Sequence, residues 1–211
     1  MGESRLFPRT IETERLRLDR LDEATSALEL YEHVTVGAPD IEEITEHLTW
    51  GPHETPNETR AFLERVTDGW ANARSAEYAI VPHEDEPGAG EFAGAGGMFV
   101  DWDRRTATFG LWLRKPFWGR GYSSERAVAL MSIAFDRLDL ETIAVTHLPD
   151  NDKSRNAIEK YVDRFGGRRE GRFRNFEADQ DGGAIDFVRY TVTHDEWSEY
   201  RPAELGVRFE G

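Results

Sequence analysis

One segment of the sequence, Pro116 to Glu125, has the composition of a loop that binds an anion. Its two glycines, Gly119 and Gly121, allow the backbone to turn so that consecutive N–H groups point into one cavity. These amides, together with the dipole of a helix that follows, favour a bound phosphate group. Arg120 can add a charge-assisted contact at the rim of the loop. Phosphate binding is therefore the chemistry that these residue types and their spacing indicate.

A Gly-x-Gly spacing also occurs in three other kinds of structure, which the neighbouring residues help to distinguish. A dinucleotide-binding turn requires a third glycine where this sequence has Ser124. A nucleoside-triphosphate loop ends in Gly-Lys-Ser or Gly-Lys-Thr, and the segment lacks that ending. A tight turn before a helix capped by Ser123 or Ser124 needs no ligand at all. The glycines alone favour this capped turn, so the choice depends on the sequence around them.

The elements around the loop are a strand before it and a helix after it. Residues 105–113 alternate between apolar and polar positions, which is typical of a strand. An apolar stripe over residues 123–138 predicts the helix. A second strand over residues 141–148 and a second helix over residues 152–165 follow, and Gly166-Gly167 ends that helix. Strand–helix–strand alternation of this kind indicates a partly parallel sheet covered by helices.

The rest of the chain completes an α/β (α+β) fold with the predicted order β-α-α-β-β-β-α-β-α-β-β. A polar, acidic insertion containing three prolines occupies residues 37–57. We expect one domain over residues 1–211, with residues 1–11 and 201–211 as peripheral tails. The remaining predicted elements are a strand over 15–19, helices over 22–34 and 58–70, strands over 77–82 and 91–101, and strands over 168–177 and 184–193 that pair across the turn Asp181-Gly182-Gly183.

The segment from Trp118 to Ser123 resembles the pyrophosphate loop of GNAT acetyltransferases, which is written Gln/Arg-x-x-Gly-x-Gly/Ala. It departs from that pattern at both ends, because Trp118 replaces Gln or Arg and Ser123 replaces Gly or Ala. The form Trp-Gly-x-Gly-Tyr is common in the RimJ/RimL branch, which is named for ribosomal-protein N-terminal acetylation. The likeness covers roughly residues 12–198. Its other matches are Glu12–Leu18, Gly110–Leu113 with Pro116, Asp150–Arg155, Glu159-Lys160 with Gly166, and Arg169–Gly171 with Arg174.

The resemblance implies a GNAT fold, in which a mixed, mostly antiparallel sheet contains two parallel strands that splay apart. It also implies that acetyl-CoA is the cosubstrate and that its pantetheine arm lies between the strands over 105–113 and 141–148. By resemblance, the backbone of Leu111 and Leu113 hydrogen-bonds this arm, and Asn151 contacts it. The cofactor-binding residues of the loop are then Trp118, Gly119, Arg120, Gly121, Tyr122 and Ser123, and the amides from Gly119 to Ser123 hold the pyrophosphate.

The resemblance further implies that an amine attacks the acetyl carbonyl directly in a ternary complex, so the protein supplies no nucleophile. Ser154 matches the family's Asn-x-x-Ser motif, and we interpret it as the general acid that protonates the departing thiolate. A first-turn serine bonded to its own backbone is the alternative. Many relatives carry a glutamate where this sequence has Thr108, so no general base is assigned. Glu54 is a candidate for attracting the amine.

The charge balance disfavours several classes of partner. Asp and Glu number 41 against 26 Lys and Arg, which gives a formal net charge of −15. Such a chain repels nucleic acid and anionic membranes. Only Lys115, Lys153 and Lys160 are lysines, and at molar salt a Debye length of about 3 Å screens the self-repulsion. We therefore expect a cytoplasmic protein of a halophile, with an ordinary acidic protein as the alternative; neither a signal peptide nor a membrane span is expected.

Metal and cysteine chemistry are disfavoured as well. The chain has no cysteine, which excludes disulfides, thiolate metal sites and a cysteine nucleophile. Its six histidines lack the spacing of metal ligands, so no metal is expected. His147 lies late in a predicted strand beside the proposed cleft, where an ordinary strand histidine is the simpler interpretation.

Two functions of different classes remain. The first is an N-acetyltransferase whose amine acceptor is a protein N-terminus or a small molecule. The second is a non-catalytic acyl-CoA-binding module of the same fold, which Thr108 favours and which the retained Asn151 and Ser154 disfavour. The identity of the acceptor depends on the variable segment 37–70. The oligomeric state stays open, with a homodimer as one alternative.

Overall fold

The computed structural model describes residues 6–178 and 182–210. In these two stretches, nine strands form one sheet: β1 Thr10–Glu12, β2 Leu16–Arg20, β3 Ser75–Pro82, β4 Gly94–Asp101, β5 Thr106–Leu113, β6 Thr142–His147, β7 Arg168–Ala178, β8 Ala184–Thr193 and β9 Arg208–Glu210. Their order across the sheet is β7-β8-β6-β5-β4-β3-β2-β1-β9. Only β5 and β6 are parallel, and every other neighbouring pair is antiparallel. This mixed sheet agrees with the predicted fold class.

The helices lie on both faces of the sheet. They are α1 Leu21–Ala24, α2 Ala27–Val34, α3 Ile41–Thr45, α4 Pro56–Ala71, α5 Tyr122–Met131, α6 Asp152–Arg164 and α7 His194–Tyr200. Leu21, Leu30 and Leu63 of α1, α2 and α4 form one apolar cluster with Ala79 and Ala95 of the sheet. The larger core lies on the other face and includes residues of α5, α6 and α7. The face that carries α1, α2 and α4 is called the α4 face below.

Two predicted helices differ from those in the structure. The helix predicted over residues 22–34 is divided into α1 and α2, because Ser26 accepts a hydrogen bond from the Glu29 amide and the Glu29 side chain accepts one from the Ser26 amide. This reciprocal capping starts a new helix. The helix predicted over 123–138 is α-helical only as far as Met131, and Ser132–Arg137 continue it as a π-helical segment.

The ends of the chain also differ from the prediction of peripheral tails. Strand β1 pairs with β2 and with β9, so residues 10–12 and 208–210 extend the sheet at one edge. Phe7 and Ile11 are buried in the core. Sequence periodicity did not reveal β1 and β9, because three residues are too few to show alternation. The hairpin strands β7 and β8 pair as predicted, but Asp181 of the predicted turn lies outside the described residues.

Candidate functional site

The predicted phosphate loop lies between the end of β5 and the start of α5. A 3-10 turn, Lys115–Phe117, leads into it. Gly119 and Gly121 have φ angles of +73° and +81°, a region that residues with a Cβ rarely adopt, so both positions favour glycine. Gly121 is the N-cap of α5, and no side chain caps the helix. Ser123 and Ser124 therefore are not the caps of the alternative interpretation.

A run of backbone amides at this junction is left without a protein acceptor. In the described part of the chain, the N–H groups of residues 119–123 donate no hydrogen bond. The first hydrogen bonds of the turn are donated by the amides of Ser124 and Glu125, both to the Gly121 carbonyl, at 3.1 and 3.2 Å. Unpartnered amides at a helix N-terminus, with the positive end of the helix dipole, favour an anion at this place.

A carboxylate of α5 fixes the loop to the edge of the sheet, and sequence reasoning missed it. Glu125 accepts hydrogen bonds from the Thr13 hydroxyl at 2.6 Å and from the Arg15 amide at 2.7 Å. The Arg15 guanidinium also bonds Glu125, and its Nη1 donates to the Arg120 carbonyl at 2.9 Å. These contacts raise the pKa of Arg15 despite its partial burial. The backbone of the loop is thus held from the β1–β2 turn.

Two side chains of the loop point away from it. The Arg120 guanidinium donates to the Pro87 carbonyl and lies 5.1 Å from the centroid of the Phe117 ring. It therefore faces the connection between β3 and β4, which differs from the predicted contact at the rim. Tyr122 is buried, and its hydroxyl donates to Glu86 at 2.7 Å. Burial, followed by this hydrogen bond, raises the pKa of the Tyr122 phenol.

The two parallel strands separate beside the loop. Their pairing runs from Thr106 opposite Thr142 to Phe109 opposite Val145, and it stops there. Residues 110–113 of β5 continue along β4 but not along β6. An opening between the two strands therefore begins at Gly110, on the side of the phosphate loop. A backbone that has lost its neighbouring strand offers hydrogen-bonding groups to an extended ligand.

Leu111 and Leu113 lie on the stretch of β5 that pairs with β4 but not with β6. Both are partly exposed and also pack against the larger core. The carbonyl of Leu113 already accepts a hydrogen bond from the Trp118 indole N–H at 2.8 Å. Trp118 thus joins the end of β5 to the loop, a role that the resemblance did not imply.

The other wall of the opening is the connection from β6 to α6. Asn151 is the N-cap of α6, where its side-chain oxygen accepts a hydrogen bond from the Ser154 amide at 2.9 Å. Ser154 is half-buried, and its hydroxyl makes no hydrogen bond to any described residue. The alternative interpretation, a serine bonded to its own backbone, therefore has no counterpart in this geometry. The hydroxyl is available to another group.

Ion pairs bridge the two walls at the open end. Glu43 of α3 accepts hydrogen bonds from Lys115, which follows β5, at 2.6 Å and from Lys153 of α6 at 3.0 Å. Lys153 also lies 4.3 Å from the centroid of the Trp118 ring. The two ammonium groups lower the pKa of the Glu43 carboxyl. The acidic insertion is thereby fastened to both sides of the cleft.

Other residues singled out from the sequence take different positions. Thr108 is exposed on the α4 face. The Glu54 carboxylate is exposed, while its backbone carbonyl accepts a hydrogen bond from the Tyr31 hydroxyl. His147 is buried on the opposite face, where it stacks on Tyr190 at 5.6 Å and its Nδ1 lies 2.7 Å from the Leu148 carbonyl. No group of three or more potential metal ligands occurs among the described residues.

One titratable residue near the opening was not found from the sequence. Glu77 of β3 is half-buried and has no hydrogen-bond or ion-pair partner among the described residues. Burial raises the pKa of its carboxyl to about 7, against the opposing effect of the Arg126 charge. Arg126 is fully buried on α5 and donates to the Gly110 carbonyl at 2.8 Å. A single glutamate in an apolar strand carries no sequence signal that distinguishes it from a surface residue.

The comparison with protein families decides the identity of this fold. Residues 15–161 match the model of the acetyltransferase (GNAT) domain. The chain belongs to the GNAT acetyltransferase family. The match contains β2 to β6, the phosphate loop, α5 and most of α6, so it includes both walls of the opening. The predicted fold class and the predicted acyltransferase activity are thereby confirmed.

Individual relatives of this GNAT protein are distant in sequence and similar in fold. It is 22% identical over 156 residues to the Uncharacterized N-acetyltransferase p20 of Bacillus licheniformis, and the aligned region covers 74% of this chain and 83% of that protein. A GCN5-related N-acetyltransferase from Brucella melitensis has a TM-score of 0.72 and 22% identity, with 91% and 81% of the two chains covered. Microcin C7 self immunity acetyltransferase MccE, solved in complex with acetyl-CoA and AMP, has a TM-score of 0.69 and 18% identity, with 85% and 93% covered.

A further structural neighbour shares the fold. A Vibrio cholerae structure described as a ribosomal-protein-serine acetyltransferase has a TM-score of 0.67 and 17% identity, and 87% and 97% of the two chains are covered. At that identity the likeness concerns the fold alone. In the described part of this GNAT protein, every helix is too short or too polar to cross a lipid bilayer.

Proposed function

We propose that this GNAT acetyltransferase moves the acetyl group of acetyl-CoA onto a primary amine, which attacks directly within a ternary complex. The observation that carries the proposal is the set of unpartnered amides over residues 119–123 beside the opening between β5 and β6. These amides would bind the pyrophosphate. The backbone of Leu111 and Leu113, together with Asn151, would hold the pantetheine arm along the unpaired edge of β5.

Ser154 is proposed to protonate the sulfur of coenzyme A as the C–S bond breaks. Its hydroxyl is half-buried at the start of α6, on the wall of the opening, and has no partner among the described residues. A hydroxyl so placed can donate to a developing thiolate. We do not expect Asn151 to take part in proton transfer, because its side-chain oxygen accepts from the Ser154 amide.

The acceptor is proposed to be a protein N-terminus or a small-molecule amine, as in the RimJ/RimL branch. Support comes from the Trp118-Gly119-Arg120-Gly121-Tyr122 form of the loop and from the fold shared with the Vibrio cholerae neighbour. The acceptor would enter on the α4 face. Partly exposed aromatic side chains line that face, with Trp50 and Trp112 at 5.6 Å between ring centroids and Phe92 at 5.7 Å from Trp112.

Turnover separates this proposal from a non-catalytic acyl-CoA-binding module. We expect the protein to release thiol from acetyl-CoA when it is mixed with peptides that have a free N-terminus, and to release much less with the same peptides blocked at the N-terminus. Mass spectrometry of the peptide should show one added acetyl group. Tight acetyl-CoA binding without amine-dependent thiol release, across peptides and small amines, would establish the binding module instead.

Salt should stabilise the fold if the acidic composition is an adaptation to a saline cytoplasm, as we propose. The net charge of −15 destabilises the compact state by self-repulsion, and molar salt screens it. We expect the melting temperature to rise steadily from low salt to molar KCl. Sucrose at matched osmolality serves as the control, since it carries no charge. A melting temperature that is flat or falls with KCl would contradict the halophile interpretation.

A further inference from the structure

Glu77 stands on a row of the sheet that leads to the opening. It pairs with Gly97 of β4, and Gly97 pairs with Gly110 of β5. Gly110 is the first residue beyond the last β5–β6 pair, Phe109 with Val145. Residues directly opposite one another in neighbouring strands direct their side chains to the same face. Glu77 therefore shares a row with the point at which the two strands separate.

The other two members of the row are glycines, and the space beside the row is open at Gly110. A Cβ added at Gly110 would meet only the Phe99 ring, at 3.9 Å, so the space above Gly110 is open. Gly97 is glycine for a different reason, since its Cβ would lie 1.9 Å from the Ala76 carbonyl oxygen. Two strand spacings of about 4.8 Å separate Glu77 from Gly110. The open space therefore begins at Gly110, the end of the row next to the opening.

The row lies on the α4 face, where the acceptor is proposed to enter. Ala79, two residues after Glu77, belongs to the α4-face cluster, so Glu77 points to the same side. The neighbouring row on the other side contains exposed Phe99 and exposed Thr108. Glu77 thus lies between the packed row that contains Ala79 and the exposed row that contains Phe99 and Thr108.

We infer that Glu77 accepts the proton of the acceptor ammonium through water in the open space above Gly110. The inference rests on the proposed acetyl transfer, and it supplies the base that Thr108 cannot provide. The ammonium proton passes to the carboxylate, and the amine then forms the N–C bond. As the tetrahedral intermediate collapses, the C–S bond breaks and the nitrogen loses its second proton to solvent. The sulfur takes a proton from the Ser154 hydroxyl, and solvent returns one to Ser154. Glu77 finally releases its proton to solvent.

The charges near Glu77 leave it able to do this at neutral pH. Among the described residues, Arg126 of α5 is the charged group that acts on it, from the opposite face, and it lowers the pKa that burial raises to about 7. Tyr161 of α6 acts on Arg126. The other elements packed against β3 carry further charged groups: Arg17 and Asp19 of β2 on the face of Glu77 and Arg20 on the opposite face, Asp22 and Glu23 of α1, Asp101 of β4, and Glu58, Arg60, Glu64, Arg65 and Asp68 of α4. His53, which precedes α4, is a second candidate base, and burial lowers its pKa.

The pH dependence of kcat/KM tests the inference. The active form is the carboxylate, so wild-type kcat/KM for a peptide N-terminus should rise tenfold per pH unit below about 7 and level off above it. In Glu77→Gln this limb should move to the pKa of the amine itself, about 8. Because such an amine needs little help, kcat/KM at pH 7 should fall by roughly 10²-fold, the lower end of the general-base range. Glu77→Asp keeps a carboxylate, so it should keep part of the rise in kcat/KM below pH 7.

His53→Gln is the matched control, because it removes a half-buried titratable group that precedes α4 and leaves Glu77 in place. It should keep the limb near pH 7. A limb unchanged in Glu77→Gln, or one lost in His53→Gln, would overturn the role of Glu77 while leaving acetyl transfer intact. Absence of wild-type turnover with every amine at every pH would instead defeat the proposed function, and the inference with it.

Thermal melts give a readout that does not require activity. The Glu77 carboxyl has a higher pKa in the folded protein, about 7, than the value of 4.5 for an unperturbed glutamate. The folded state therefore holds this proton more tightly, and the free energy of unfolding falls as pH rises between these two values. Glu77→Gln should therefore melt at a higher temperature than wild type at pH 8 and at a similar temperature at pH 4.5. A lower melting temperature at pH 8 would mean that Glu77 makes a stabilising contact and is not a free base.

Discussion

Gly121→Val should reduce acetyl-CoA affinity by about 10²- to 10⁴-fold, because the branched side chain disturbs the amides that are proposed to hold the pyrophosphate. Hydrogen bonds to a charged group contribute about 1.5–3 kcal/mol each, and the loss of two gives this range. Gly121 has a φ of +81° and its Cβ would lie 3.4 Å from Arg15 Nη2. Valine would therefore press on the guanidinium that holds the Arg120 carbonyl. Calorimetry with acetyl-CoA measures the effect.

Gly182→Val separates the loss of the site from the strain of the backbone. Gly182 has the same φ of +81°, and a Cβ there would have no neighbour within 4 Å. It precedes β8, away from the loop, so its replacement should cost similar stability and leave acetyl-CoA binding intact. If a folded Gly121→Val protein binds acetyl-CoA like wild type, the amides of residues 119–123 are not the pyrophosphate site.

Ser154→Ala should lower kcat by roughly 10²- to 10⁴-fold, the usual range for a general acid. The effect should not be all-or-none, because a thiol with a pKa close to the free-cysteine value of about 8.5 leaves tolerably as the thiolate. The dissociation constant for acetyl-CoA should hardly change, since the proposed pyrophosphate and pantetheine contacts lie elsewhere. Single-turnover kinetics and calorimetry on the same preparation measure both quantities.

Ser154→Thr is the conservative variant for this experiment, because it keeps the hydroxyl. We expect it to recover much of the turnover that Ser154→Ala loses, while a thermal melt shows both proteins folded. Wild-type turnover in a folded Ser154→Ala protein would show that the serine only begins α6 and that the thiolate leaves without its proton.

The parts of the site that repeat a local pattern could be predicted from the sequence. The loop follows from glycine chemistry, since Gly119 and Gly121 both have positive φ. The break at Ser26 could also have been predicted, because Ser26 and Glu29 have the spacing of a capping box. The apolar periodicity over 22–34 concealed it. The π-helical segment has no such signal, because Ser132–Arg137 continue the same apolar stripe.

What could not be predicted depends on pairing between distant segments. Glu77 becomes notable only because β3, β4 and β5 place it in register with Gly97 and Gly110. Glu125 acquires its role from Thr13 and Arg15, more than 100 positions away. Strand register and sheet order are set by the packing of the whole chain, and single-sequence periodicity contains neither.

The two ion pairs of Glu43 connect α3 to both walls of the cleft. Widening the opening at this end must break an ammonium–carboxylate contact with Lys115 or Lys153. An anion that reaches either lysine competes with Glu43 for it. The pairs are exposed, so ionic strength weakens them. We therefore expect salt to act in opposite directions on one molecule: it should stabilise the acidic fold as a whole and weaken the ion pairs that hold α3 to the two walls.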